Sequence, residues 1–123
     1  METSILKTIR QMIGPSASYD VFDTDLIIHI NTAFSRLCQL GVGPKTPFKI
    51  ADDTATWDDF INADTEGFYD RSAADMIADI SQYIYLKTRM IFDPPASSSV
   101  ANAFQAQIDT LEWTLKETAR YGY

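Results

Sequence analysis

Residues 83–115 read YIYLKTRMIFDPPASSSVANAFQAQIDTLEWTL, and this stretch decides the fold. An apolar helical run ends at Asp93-Pro94-Pro95, because proline disfavours helical geometry in the residue before it. The serines at 97–99 then offer acceptors for the free N–H groups of a new helix. From there Val100, Phe104, Ile108, Leu111 and Leu115 recur at the spacing of one helix face. Two long helices therefore meet at a fixed corner. Trp113 lies off that stripe, which predicts either a further packing layer or a partner for it.

Working back along the chain, Ala73, Met76, Ile77, Ile80, Ile84, Lys87 and Ile91 form a second stripe. Tyr83, Tyr85, Leu86 and Met90 widen it. A helix this apolar is central and packs on more than one neighbour. Upstream, Ile5, Leu6, Ile9, Met12 and Ile13 make a short amphipathic helix with Ser4 as cap and Gly14-Pro15 as stop. Leu26, Ile27, Ile30, Phe34, Leu37 and Leu40 make another, with Asp23 as its cap and Gly41 as its end. The expected fold is mainly α: a four-helix subunit over 4–13, 24–40, 72–92 and 98–119 within a single domain, 1–123. The extended acidic loop region 41–71 is too long to be structureless. PFKI at 47–50 reads as a short strand, or one arm of a hairpin. WDDFI at 57–61 reads as a helical turn capped by Thr56 and pinned by Trp57, Phe60 and Ile61. The tail 117–123, which ends in Tyr-Gly-Tyr, has no apolar period and is expected to order only on assembly.

The chain has 123 residues and a net charge of −7. Residues 51–79 hold nine acids against Arg71, or −8, while the remainder sums to +1. Such a surface repels nucleic-acid phosphates and argues against a conventional DNA-binding role. Its ordinary reading is a solvated, solubilising face. No apolar run reaches the ~18 residues of a membrane span, and the N-terminus lacks a signal-peptide pattern. A soluble, unsecreted protein is expected. Cys38, the single cysteine, reads as a small buried apolar residue rather than a reactive thiol.

The chain offers little chemistry. His29 is the only histidine, and a satisfied or part-exposed histidine explains it better than a catalytic base. GxSxG, Walker A and GxGxxG patterns are missing from the sequence. Asp52-Asp53 and Asp58-Asp59 could in principle serve a hydrolase, but adjacent aspartates diverge and are common on solvated surfaces. Asn62, Asp64, Glu66, Gly67 and Asp70 imitate a calcium loop, yet Ala73 stands where the bidentate glutamate belongs. One His and one Cys cannot make a zinc set. No catalytic residue, cofactor or metal is expected. These residues suit an interaction protein rather than an enzyme.

The stretch 83–115 resembles the C-terminal half of the small head–tail connector proteins of long-tailed bacteriophages, in its tyrosine-rich helix, FDPP corner, serine cap and LEW-x-L ending. FDTDLIIHINTAFSRLCQLGVGP resembles the family's first long helix and its GVGP exit, and TWDDFI resembles its W-D-D-F element. The likeness spans roughly residues 20–116. The chain departs from the pattern at GFYDRSAADMIADI, where helix three begins with a long acidic lead-in. The resemblance implies a structural virion protein in the phage neck, assembled in the host cytoplasm. It implies a ring with the portal's twelvefold symmetry, lying between the portal and a stopper or tail-completion protein. DNA would pass through that ring during genome ejection without being specifically bound. Trp113, Lys116, Arg120, Tyr121 and Tyr123 are then candidate portal contacts. Asp52, Asp53, Asp58, Asp59, Asp64 and Glu66 are candidates for a face toward the lumen or the next neck protein. Tyr83, Tyr85, Met90 and Phe92 are candidates for a subunit interface. The acidic cluster alone supports the alternative, a small regulatory or inhibitory binding protein that mimics DNA.

Overall fold

A computed structural model describes residues 3–17, 19–63 and 73–121, without the side chains of Ser16, Ala73, Ala74, Arg120 and Tyr121. The chain is mainly α, with five α-helices: α1 (Ile5–Ile13), α2 (Asp23–Gln39), α3 (Trp57–Ala63), α4 (Ile77–Phe92) and α5 (Ser98–Tyr121). α4 is the central element. It packs on α2, α5 and α1, most extensively on α2. α2 runs antiparallel to α4: Phe22, just before α2, meets Phe92 at 5.3 Å between ring centroids, whereas Arg36 near its other end reaches the neighbourhood of Tyr83.

Each helix starts and stops for a local reason. The Ser4 hydroxyl accepts from the Lys7 N–H at 3.2 Å, and Gly14 ends α1 at φ 102°, a conformation that side chains resist. Asp23 is not the cap that the sequence suggested. A 3₁₀ turn over Asp20–Phe22 leads into α2, which begins at Asp23 itself with Phe22 in the capping position. The Asp23 carboxylate is taken by Arg10, which also lies 3.8 Å from Asp20 and so ties the end of α1 to the start of α2. α4 begins at Ile77, after a 3₁₀ turn over Ala73–Met76, and is therefore shorter than the expected 72–92. α5 runs past the expected 119 to Tyr121. Ala119, in its last turns, is buried.

The stretch from 41 to 63 corrects one expectation and bears out another. Residues 47–50 form no strand; the one bridge among the described residues joins Ser4 to Thr56. The extended segment was legible, but its partner is a side chain. The Asn31 amide on α2 donates to the Ile50 carbonyl at 3.0 Å and accepts from the Ile50 N–H at 2.8 Å, as a neighbouring strand would. Ile50 is buried, so neither group has ready access to water. Asn31→Ala should destabilise the chain by about 1–3 kcal/mol, measured by urea unfolding. Asn31→Asp keeps the acceptor, loses the donor and should fall between Asn31→Ala and the parent chain.

WDDFI is helical, as expected, and extends to Ala63 as α3. The Thr56 hydroxyl accepts from the Asp59 N–H at 3.1 Å and the Asp59 carboxylate accepts from the Thr56 N–H at 2.9 Å, a reciprocal capping box. Phe34, Phe48 and Phe60 pack into one aromatic cluster, with centroids 4.9–5.4 Å apart. Gly43 sits against it at φ 87°, where a Cβ would lie 2.8 Å from the Phe60 ring.

Candidate functional site

The surfaces available to partners follow from what α4 leaves uncovered. α5 is 24 residues long and packs on α4 along one face only. Ile108, Leu115 and Ala119 are buried, and Phe104 and Leu111 pack part-buried against the core. Val100, at the start of the expected stripe, is exposed. On the opposite face Ala103, Ala106, Asp109, Thr110 and Trp113 are exposed. Trp113 is 65% exposed, so the intrachain packing layer that could have explained it is not there. Between α4 and α5, Gln82, Ala106, Gln107, Thr110 and Leu111 line an open groove of about 350 Å³.

Tyr83, expected at a subunit interface, is fully buried within its own chain. Its hydroxyl donates to Glu112 Oε2 at 2.7 Å, and Arg36 donates to Glu112 Oε1 at 3.2 Å. These three residues join α4, α5 and α2. Burial raises the Tyr83 hydroxyl above its ordinary pKa, and accepting neighbour Glu112 adds to the rise. For Glu112, burial works against the charged form. The hydrogen bonds from Tyr83 and Arg36, with the positive charges of Arg36 and Lys87, outweigh it and lower the carboxyl. The bond and charge of Glu112 in turn raise Arg36. Sequence periodicity places Glu112 beside the apolar stripe but says nothing of this network; a buried tyrosine facing an acid is its only trace. Tyr85, Met90 and Phe92 are half-buried. Tyr85 accepts from Arg89 at 2.7 Å.

The acidic residues have local duties as well as charge. Asp52 is exposed and accepts from the hydroxyl and the backbone N–H of Thr54, which lowers its pKa. Asp53 lies 3.8 Å from Lys7, Asp58 is half-buried, and Asp59 caps α3. Asp64 and Glu66, with the rest of the calcium-like fragment after Asn62 and Ala63, lie outside the described residues up to Ala73. So does Tyr123; for Arg120 and Tyr121 only the helical backbone is described. Lys116 is exposed.

Among the described residues no group of three His, Cys, Asp or Glu side chains could hold a metal ion. His29 is half-buried on α2. Cys38 is less buried than its type suggested, and its thiol donates to the Lys45 carbonyl at 3.1 Å. Among the described residues no helix is long and apolar enough to cross a membrane.

A family model described as phage connector protein matches residues 5–122. Neither the curated proteins nor the solved structures contain a match to this chain. The matched segment runs from the first residue of α1 to beyond the end of α5, so every helix described above falls inside it.

Proposed function

The chain belongs to the phage connector protein family, and we propose that it is the adaptor that forms a ring between the portal and the stopper or tail proteins. Membership makes it a structural virion protein of the head–tail connection that works against other head and tail proteins. The ring, its copy number matched to the portal, and its DNA-conducting channel are the finer reading. What carries that reading is the family match over residues 5–122. It is supported by the long α5, whose outward face carries Trp113, an exposed tryptophan that the chain itself does not cover.

In this arrangement Trp113, Lys116, Arg120, Tyr121 and Tyr123 meet the portal. Asp52, Asp53, Asp58 and Asp59, with Asp64 and Glu66, face the channel or the next neck protein. Like charges repel DNA over about a Debye length, ~8 Å at physiological salt, so an acidic lining would keep passing DNA from sticking. Tyr85, Met90 and Phe92 lie near the subunit boundary. No step of this role requires a bond to be made or broken.

Native mass spectrometry of the purified chain mixed with portal oligomers should give one complex that contains portal and many copies of the chain. A chain that stays monomeric and never joins a portal-containing complex contradicts the reading.

A further inference from the structure

α5 is held by less than its length suggests. Its 24 residues place Ile108, Leu115 and Ala119 in the core, with Phe104 and Leu111 packed part-buried against it. Residues 98–107 hold no buried side chain. By contrast α2, at 17 residues, buries Leu26, Ile30, Ala33, Phe34 and Leu37. A helix with few buried apolar groups and a long exposed stretch separates from its neighbours more readily than one sunk in the core.

The polar tie at the middle of α5 passes through one side chain. Glu112 accepts from the Tyr83 hydroxyl on α4 at 2.7 Å and from Arg36 on α2 at 3.2 Å. Such a tie parts differently from an apolar seam. Once it opens, the carboxylate, the hydroxyl and the guanidinium each meet water, which replaces most of what the bonds gave. Nearer the corner, the Arg89 guanidinium lies 5.1 Å from the centroid of the Phe104 ring, and both groups are only half-buried.

The corner permits rotation. The Asp93 N–H closes α4 on the Arg89 carbonyl at 2.8 Å, and the Ala101 N–H starts α5 on the Ser97 carbonyl at 3.0 Å. Each of these bonds stays on its own side of the corner. Pro94 and Pro95 have no N–H to donate, and their rings fix φ but leave ψ free. Turning the backbone between Pro94 and Ser97 therefore breaks neither bond.

We infer that α5 opens from α4 as a unit about the Pro94–Ser97 corner, with Glu112 as the latch that holds it shut. The rest of the core stays assembled, because the packing of α2 on α4, the Phe34–Phe60 contact and the Trp57–Thr8 bond all lie outside α5. Opening bares Tyr83 on α4 and Ile108, Leu111 and Leu115 on α5. It is a property of the single chain and does not depend on the ring reading.

Hydrogen–deuterium exchange of the full chain without portal, read by mass spectrometry, tests this. Peptides over Ile108–Leu115 should exchange about a hundredfold faster than peptides over Leu26–Leu37. Two variants separate opening of α5 from unfolding of the whole chain. Glu112→Ala weakens the closed form alone, so it should speed exchange in both peptides by about thirtyfold or more. Tyr83→Phe, a milder change, should act in the same direction by about tenfold. Trp57→Phe weakens a contact that the closed and open forms share. It should speed exchange over Leu26–Leu37 by about tenfold and leave Ile108–Leu115 unchanged. Equal exchange of the two peptides in the parent chain would overturn the proposal. So would a Trp57→Phe variant that speeds both equally, which means that the chain unfolds in one step. Exchange over Ile108–Leu115 that responds to neither Glu112→Ala nor Tyr83→Phe would overturn the latch.

Discussion

Trp57→Ala should destabilise the chain by about 3–5 kcal/mol, the range for truncating a buried aromatic. α3 has seven residues, too few to hold a helix in isolation, so its place depends on docking. Trp57 and Phe60 provide that docking. The Trp57 ring is fully buried and lies 6.5 Å from Phe34. Its indole N–H donates to the Thr8 hydroxyl at 3.2 Å, and its backbone N–H donates to the Thr3 carbonyl at 3.2 Å. Alanine would leave a cavity between α1, α2 and α3 and remove the indole bond, while the Thr8 hydroxyl keeps its own bond to the Ser4 carbonyl. For a domain of this size the melting temperature should fall by about 10–20 °C, read by circular dichroism. Trp57→Phe keeps most of the apolar area and loses only the N–H, so about 1–2 kcal/mol is expected. A loss below about 1 kcal/mol for the alanine variant would mean that α3 is not held by this ring.

Glu112→Ala should cost about 2–4 kcal/mol, because it leaves the Tyr83 hydroxyl buried without its acceptor. The residue joins three helices through Tyr83 and Arg36, so its loss loosens α5 as well as removing a bond. Tyr83→Phe, which removes the donor without a cavity, should cost about 1–2 kcal/mol. In the Tyr83→Phe background Glu112→Ala should cost less than it does alone, and full additivity would show that the pair does not interact. The pH dependence has a definite sign. Folding lowers the Glu112 carboxyl below its ordinary 4.5, so its contribution is complete above pH 4.5 and is lost as pH falls below that value. Folding raises the Tyr83 hydroxyl above its ordinary 10.0, so its contribution is complete below pH 10 and is lost as pH rises further. Glu112→Gln should flatten the acid limb of the stability profile, measured by urea unfolding at a series of pH values.

The helices were legible because their signals are local. The FDPP corner, the Ser4 cap and the stop at Gly41 each act within a few residues, and the apolar stripe of α2 matches its buried face; in α4 the buried face holds Ile80 and Ile84 of the expected stripe but turns to Tyr83, Leu86 and Thr88, which leaves Ile91 exposed. The loop from 41 to 56 was less legible because its order comes from afar. Asn31 replaces the strand partner that Ile50 lacks, and nothing in PFKI announces a side chain nineteen residues upstream. Asp23 was misread as a cap because its type suits that role, while Arg10 competes for the same carboxylate. Nothing in the sequence announces that Tyr83, an interface candidate by resemblance, is buried in its own chain and faces Glu112. Trp113 shows the opposite case. Its position off the stripe predicted a second contact, and the chain leaves that contact open.

The adaptor reading is tested most directly by locating the chain in the phage particle. Electron microscopy of virion necks, with the chain traced by its α4–α5 corner, should show a closed ring between portal and tail proteins. A neck fully accounted for by other proteins, with the chain missing from purified virions by mass spectrometry, would contradict it.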